Sequence, residues 1–352
     1  MDIFIVLIIL ALLWKIKYKG TNDEYLSYKT STAWRGFFMM LIMCHHLAQY
    51  TSSGKLFVHF VRIGFLTVAI FFFFSGYGLL KKHISDSSYK NSFLKKRITA
   101  IVVPYAIMTF VVWVVRAIGG KVFSLSDIFV QFAKGQAIVP FSWYFTNILF
   151  FYLAFYLLMK LFGNRHNLMI AGALVCYFVW IGICKKAGFD VWWYCSSQLF
   201  IVGMIWAKYE KQILDFIKNH YFISIGILVI AFLMGIILHL FISRYVTFID
   251  AIALTKIIIA ILFTVAIMMF SLKFSIGNLI IDYIGKISFE LYLSHGMFIW
   301  IFNKIIANDL LKSVLVVVSS FAFSVILHKI LNMVLVRNNK SKSVAATIGN
   351  TK

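Results

Sequence analysis

The chain has 352 residues, 62% hydrophobic and only 13% charged, with a net charge of +22 and a mean hydropathy of +0.91. A soluble domain has no core large enough to bury that apolar share, and a transmembrane β-barrel would read as short alternating segments, not apolar runs of about twenty residues. What remains is an all-α polytopic membrane protein, with its lysines in short connections where the membrane accounts for them better than nucleic acid does.

Residues 3–18 begin apolar and end in Lys15, Lys17 and Lys19. Positive charge follows the run instead of preceding it, and no small-residue cleavage site is evident. This predicts a retained first helix with its N-terminus outside. A second span, 35–52, carries Arg35, His45 and His46. Arg35 and His46 are eleven residues apart, so a helix separates them by roughly 16 Å, about half the hydrocarbon thickness. Arg35 at the membrane surface would therefore place His46 at mid-depth, where an ionisable group is expensive and points to function. The alternative is a histidine that bonds a neighbouring helix and does no chemistry.

The third span, 62–80, ends in Phe74-Ser75-Gly76-Tyr77-Gly78. Small residues among bulky aromatics fit either close helix packing or a backbone that approaches a ligand. The most basic loop, 81–97, closes in Lys95-Lys96-Arg97. The fourth span, 98–118, has Pro104 in its first two turns, where a kink or a freed carbonyl is expected. A short surface helix fits 124–132. Further spans are predicted at 142–161, 167–184, 191–207, 221–242, 251–272, 288–306 and 311–334, eleven in all. The domain plan is an anchor helix and linker (1–30), an embedded domain (31–335) and a disordered basic tail (336–352).

With the N-terminus outside and spans alternating, inside segments hold 22 Lys and Arg against 11 outside. The bias supports N-out and C-in, with Arg35 and Arg97 together on the cytosolic face. Cys44, Cys176, Cys184 and Cys195 form no CxxC pair and read as small core residues without disulfides. Adjacent Cys44, His45 and His46 point in different directions around a helix, so no metal site is expected. Ser288, Tyr292 and His295 fall at i, i+4 and i+7 and share one helix face, which makes a polar groove or a hydrogen-bonded seam. His239 and His328 read as interfacial or packing residues.

Taken together, Arg35-Gly36 with His46, Phe74-Ser75-Gly76-Tyr77, Arg97 with Pro104, Ser142-Trp143-Tyr144-Phe145, and Gly285-Lys286-Ile287-Ser288 leading to His295 resemble the acyltransferase-3 family of bacterial integral-membrane O-acyltransferases. The resemblance covers roughly residues 30–335. It implies a ten-helix bundle, here with one extra N-terminal helix, in the cytoplasmic membrane. It implies transfer of an acyl group, usually acetyl from acetyl-CoA, to a sugar hydroxyl of a cell-surface or exported polysaccharide or a lipid-linked sugar. No cofactor would be bound permanently. The family's arginine–histidine spacing selects Arg35 and His46 as the catalytic pair, not His45. Arg97, Ser75, Gly76, Trp143, Ser288, Tyr292 and His295 become the expected substrate and acyl-CoA contacts, with a backbone amide near Ser75-Gly76 as an oxyanion donor. Two other classes would use the same polar groups. A transporter or flippase for a lipid-linked sugar or anion needs no acyl donor, and a membrane scaffold would use them as packing glue. Labelled acetyl-CoA separates the enzyme from both.

Overall fold

The computed structural model describes the backbone of residues 1–349 and the side chains of residues 1–333. The described chain is helical apart from one two-stranded ribbon. In order come α1 (Asp2–Leu13), β1 (Lys17–Tyr18), α2 (Tyr28–Ala48), α3 (Gly64–Ser85), α4 (Tyr89–Phe93), α5 (Thr99–Ile118), α6 (Leu125–Ala133), α7 (Trp143–Phe162), α8 (His166–Lys186), α9 (Leu199–Tyr245), α10 (Ile249–Lys273), β2 (Phe274–Ser275), α11 (Leu279–Lys286), α12 (Ser288–Ile305) and α13 (Asp309–Gly349). The helix assignment of α13 runs into the stretch where composition predicts a disordered tail, and residues 350–352 lie outside the described ones.

Among the described residues, seven helices are long and apolar enough to cross a membrane: α3, the continuous α4–α5 unit, α7, α8, α9, α10 and α13. Helix α9 has 47 residues and leaves helical dihedrals at Tyr209 and His220. Those breaks divide it where the sequence places a connection between two spans. Helices α2 and α12 fall below the apolarity of the others because they carry Arg35, His45 and His46, and Glu290, His295 and Asn303. The least membrane-like helices are thus the ones that carry the polar chemistry. Helix α1 is shorter than the 3–18 segment expected, at 12 residues or about 18 Å.

Two further differences have local causes. The span expected to start at 191 starts at Leu199. Ser196, Ser197 and Gln198 spend their side chains on backbone carbonyls instead, with Ser196 Oγ donating to Phe65 O at 2.8 Å, Ser197 Oγ to Tyr194 O at 3.1 Å and Gln198 Nε2 to Cys195 O at 3.0 Å. Such bonds compete with helix formation. Helix α11 exists because Asn278 caps it, accepting from the Ile280 and Ile281 amides at 3.0 Å each. The same Asn278 donates to the carbonyls of Ala11 and Trp14 and ties down the end of α1. The linker after α1 is strapped to the end of α10 by the β1–β2 pairing and by Asn22 Nδ2 donating to Ser271 O at 2.8 Å.

Glycines set two close crossings. A Cβ on Gly36 would overlap the Ile281 carbonyl, and one on Gly285 the Thr32 carbonyl, so α2 and α11 meet backbone to backbone. A Cβ on Gly76 would overlap the Phe200 carbonyl, and one on Gly203 the Phe73 carbonyl. That joins α3 to α9 in the same way.

Candidate functional site

Helices α2, α3, α5, α7 and α12 enclose a cavity of about 560 Å³. Arg35, Arg97, Lys81 and Lys82 stand in its wall, while Met39, Ile42, Val68 and Phe71 make other parts apolar. Arg35 is steadied by its own helix, Nη2 donating to Thr32 Oγ1 at 3.0 Å and Nε to Ser31 O at 3.3 Å. Arg97 lies in a π-turn, Leu94–Ile98, between α4 and α5, and its Nε donates to Tyr89 Oη at 2.8 Å. π-turns of this kind recur at functional sites because they re-aim a side chain. Helix α5 continues through Pro104, which has no N–H to return to the Ala100 carbonyl, and Ala100 is in the cavity wall.

Among the described residues, neither guanidinium has a carboxylate partner. Lys81 differs. It pairs with Glu210 of α9, whose Oε1 also accepts from Tyr25 Oη at 2.7 Å and Tyr77 Oη at 2.8 Å. In the adjoining loop, the Ser88 hydroxyl and amide hold the Asp86 carboxyl below its ordinary range. Two uncompensated, positioned guanidiniums facing one cavity suit an anion, and their forks match phosphate oxygens.

Beyond the cavity the same stripes continue. On α2 the face runs Arg35, Met39, Ile42, His46; on α12 it runs Ser288, Tyr292, His295. His46 and His295 meet where the stripes converge, with ring centroids 5.2 Å apart. His46 also stacks on Phe141 at 3.9 Å. Tyr292 Oη donates to Phe141 O at 2.6 Å and accepts from the Tyr144 amide at 3.1 Å, so this cavity-lining residue also bonds the one that stacks on His46.

The ring nitrogens separate the histidines by role. His45 Nδ1 donates to Phe60 O at 3.0 Å, and its Nε2 accepts from Gln49 Nε2 at 3.1 Å, so both positions are filled. Gly64 leaves room for that ring. His295 Nδ1 donates to Leu291 O at 3.1 Å, and its buried Nε2 has no partner. His46 Nδ1 is likewise buried and unpartnered. A neutral imidazole with a free lone pair is what a general base requires.

Of the residues singled out from sequence, Arg35, Arg97, Ser75, Ser288 and Tyr292 line one cavity, and His46 and His295 meet one layer beyond it. Two do not join them. Gly76 is packed against α9, and the amides around it lie inside α3, already committed to helix bonds, so they offer no oxyanion donor. Gly78 is the glycine in the cavity wall, with no heavy atom near a would-be Cβ. Trp143 packs against Trp193 at 6.3 Å, away from the cavity. His46 sits in the last turn of α2, which starts at Tyr28, seven residues before Arg35. Sequence reasoning missed Tyr144, next to the Trp143 it chose, and Phe141, which has no local signal. His239 bonds Thr255 at 2.8 Å, and His328 bonds Glu290 at 2.7 Å across α12 and α13.

Among curated proteins and solved structures nothing matches the chain. A family model described as an acyltransferase domain matches residues 30–329, which takes in the cavity wall except Leu26 and Tyr28, and both His46 and His295, and leaves α1 outside. The chain therefore belongs to the acyltransferase-3 family, as a membrane acyltransferase.

Proposed function

We propose that the protein moves an acetyl group from cytosolic acetyl-CoA to a sugar hydroxyl of an exported or cell-surface polysaccharide, or of its lipid-linked precursor. The observation that carries this reading is the shared stripe of α2. It starts at an unpaired Arg35 in a cavity wall that also holds Arg97, and ends at His46, roughly 16 Å further along the axis. A CoA whose diphosphate rests on the two arginines can extend its pantetheine arm along the apolar part of the cavity toward the histidines. There the acceptor oxygen attacks the thioester carbonyl and loses its proton to a histidine. The C–S bond breaks, and the CoA sulfur leaves as thiol. The choice of acetyl and of a polysaccharide acceptor follows the family resemblance. Membranes given radiolabelled acetyl-CoA test it: label in polysaccharide or lipid-linked sugar supports the reading, and well-folded protein that never incorporates label refutes it.

The donor end makes its own prediction. Arg97→Ala should raise the Michaelis constant for the acyl donor and leave the acceptor's nearly unchanged. A lost charge-assisted bond is worth about 1.5–3 kcal/mol, roughly ten- to a hundredfold. An unchanged donor constant in a folded variant would move the donor elsewhere.

We also propose that the arginine mouth faces the cytosol, in the cytoplasmic membrane, with the N-terminus outside and the C-terminus inside. The 22-to-11 split of Lys and Arg supports this orientation. Cysteines introduced in 81–97 should escape an impermeant thiol reagent added to intact cells. Efficient labelling there would reverse the orientation.

A further inference from the structure

Phe141 lies in the connection between α6 and α7 at φ +61°, in the left-handed region. For a bulky residue that conformation is strained and persists only where its surroundings hold it. Three contacts do so. The Tyr292 hydroxyl binds its carbonyl at 2.6 Å. Gly296, directly after His295, leaves the notch that Phe141 and Pro140 occupy. The ring lies nearly parallel to His46, 3.9 Å away at 19°, and 5.8 Å from His295, with Tyr50 against its edge at 6.4 Å. The strain is spent on laying an apolar ring over the histidine pair.

We propose that Phe141 is the shield that keeps bulk water off His46 and His295, so that the nucleophile they activate is the acceptor hydroxyl. This rests on the acyl-transfer reading. In transfer, the hydroxyl oxygen bonds the acyl carbon, the C–S bond breaks, and the products are ester and CoA thiol. Were water to take that place, the same bond would break and the products would be a free carboxylic acid and CoA thiol, wasting the donor. Excluding water from a reactive site is a recognised way to suppress this loss.

Phe141→Gly removes the ring and relieves the backbone strain, so it keeps the connection foldable; Phe141→Ala is the second ring-less variant and Phe141→Tyr restores a ring. Two readouts decide. The first is the ratio of thiol released without acceptor to thiol released in transfer. The second is the rate at which diethyl pyrocarbonate modifies His46, followed by peptide mass spectrometry. The ring-less variants should raise both several-fold, and Phe141→Tyr should leave both near wild type. Folded ring-less variants with wild-type ratio and modification rate would overturn the shield. Because modification needs no turnover, it judges the shield even if wild-type protein shows no acyl transfer, an outcome that would refute the transfer reading by itself.

Discussion

His46→Ala should abolish acyl transfer while His45→Ala keeps a measurable fraction of it. Residues 45 and 46 differ by about 100° around the helix, so only one follows the Arg35–Met39–Ile42 stripe toward the cavity. His45 is occupied at both nitrogens by Phe60 and Gln49 and holds the loop after α2 in place. His46 carries an unpartnered buried nitrogen beside His295. Loss of a general base costs about 10²–10⁴ in rate, well outside assay scatter. Removing one buried polar group should not impair insertion, so the amount of protein in the membrane should stay near wild type for His46→Ala. His45→Ala should instead lower the melting temperature. The assignment fails if the two variants lose activity alike, or if His45→Ala alone is dead. Equal loss would shift the base to His295, whose free Nε2 is as well buried.

Gly36→Val should be strongly disruptive to the fold. A Cβ at this position would overlap the Ile281 carbonyl, and backbone cannot turn aside as a side chain can. Overpacking usually costs about 1–3 kcal/mol and can exceed that. Here it would push α11 off α2 and carry Ser288 and Tyr292 away from Arg35, since α12 follows α11 directly. The expected result is a large fall in extractable folded protein and in melting temperature. Gly78→Ala is the control, because its Cβ enters the open cavity wall. It should melt at or slightly above wild type, as alanine favours a helix over glycine by about 1 kcal/mol. Wild-type melting of Gly36→Val would mean the two helices are not packed this tightly.

The helical stripes are the part of this site most legible in the sequence. Arg35 with His46, and Ser288 with Tyr292 and His295, are spaced by helical period, and each pair of helices needed only to be brought together. The polar residues on α2 and α12 also announce themselves against an apolar background. What stayed hidden depends on contacts between distant segments. Phe141 is one aromatic among 37 phenylalanines, and nothing local marks it as the residue whose carbonyl meets Tyr292. Gly76 and Gly78 look equivalent in sequence, yet one faces α9 and the other the cavity. The start of α9 slipped because Ser196 and Gln198 satisfy distant or local carbonyls, which hydropathy does not register. The start of α2 was hidden for a similar reason: Ser27 caps the helix two turns before Arg35, outside the apolar run.

In the proposed function an acyl donor enters at the arginine mouth from the cytosol and is used at His46 toward the other end of α2. Sealed membrane vesicles of both orientations, each supplied with radiolabelled acetyl-CoA that cannot cross the bilayer, test it directly. Inside-out vesicles, which expose the cytosolic face, should label the acceptor, and vesicles carrying His46→Ala or a paired Arg35→Ala, Arg97→Ala change should not. Labelling confined to right-side-out vesicles, or labelling that survives loss of His46 and both arginines, would contradict the account.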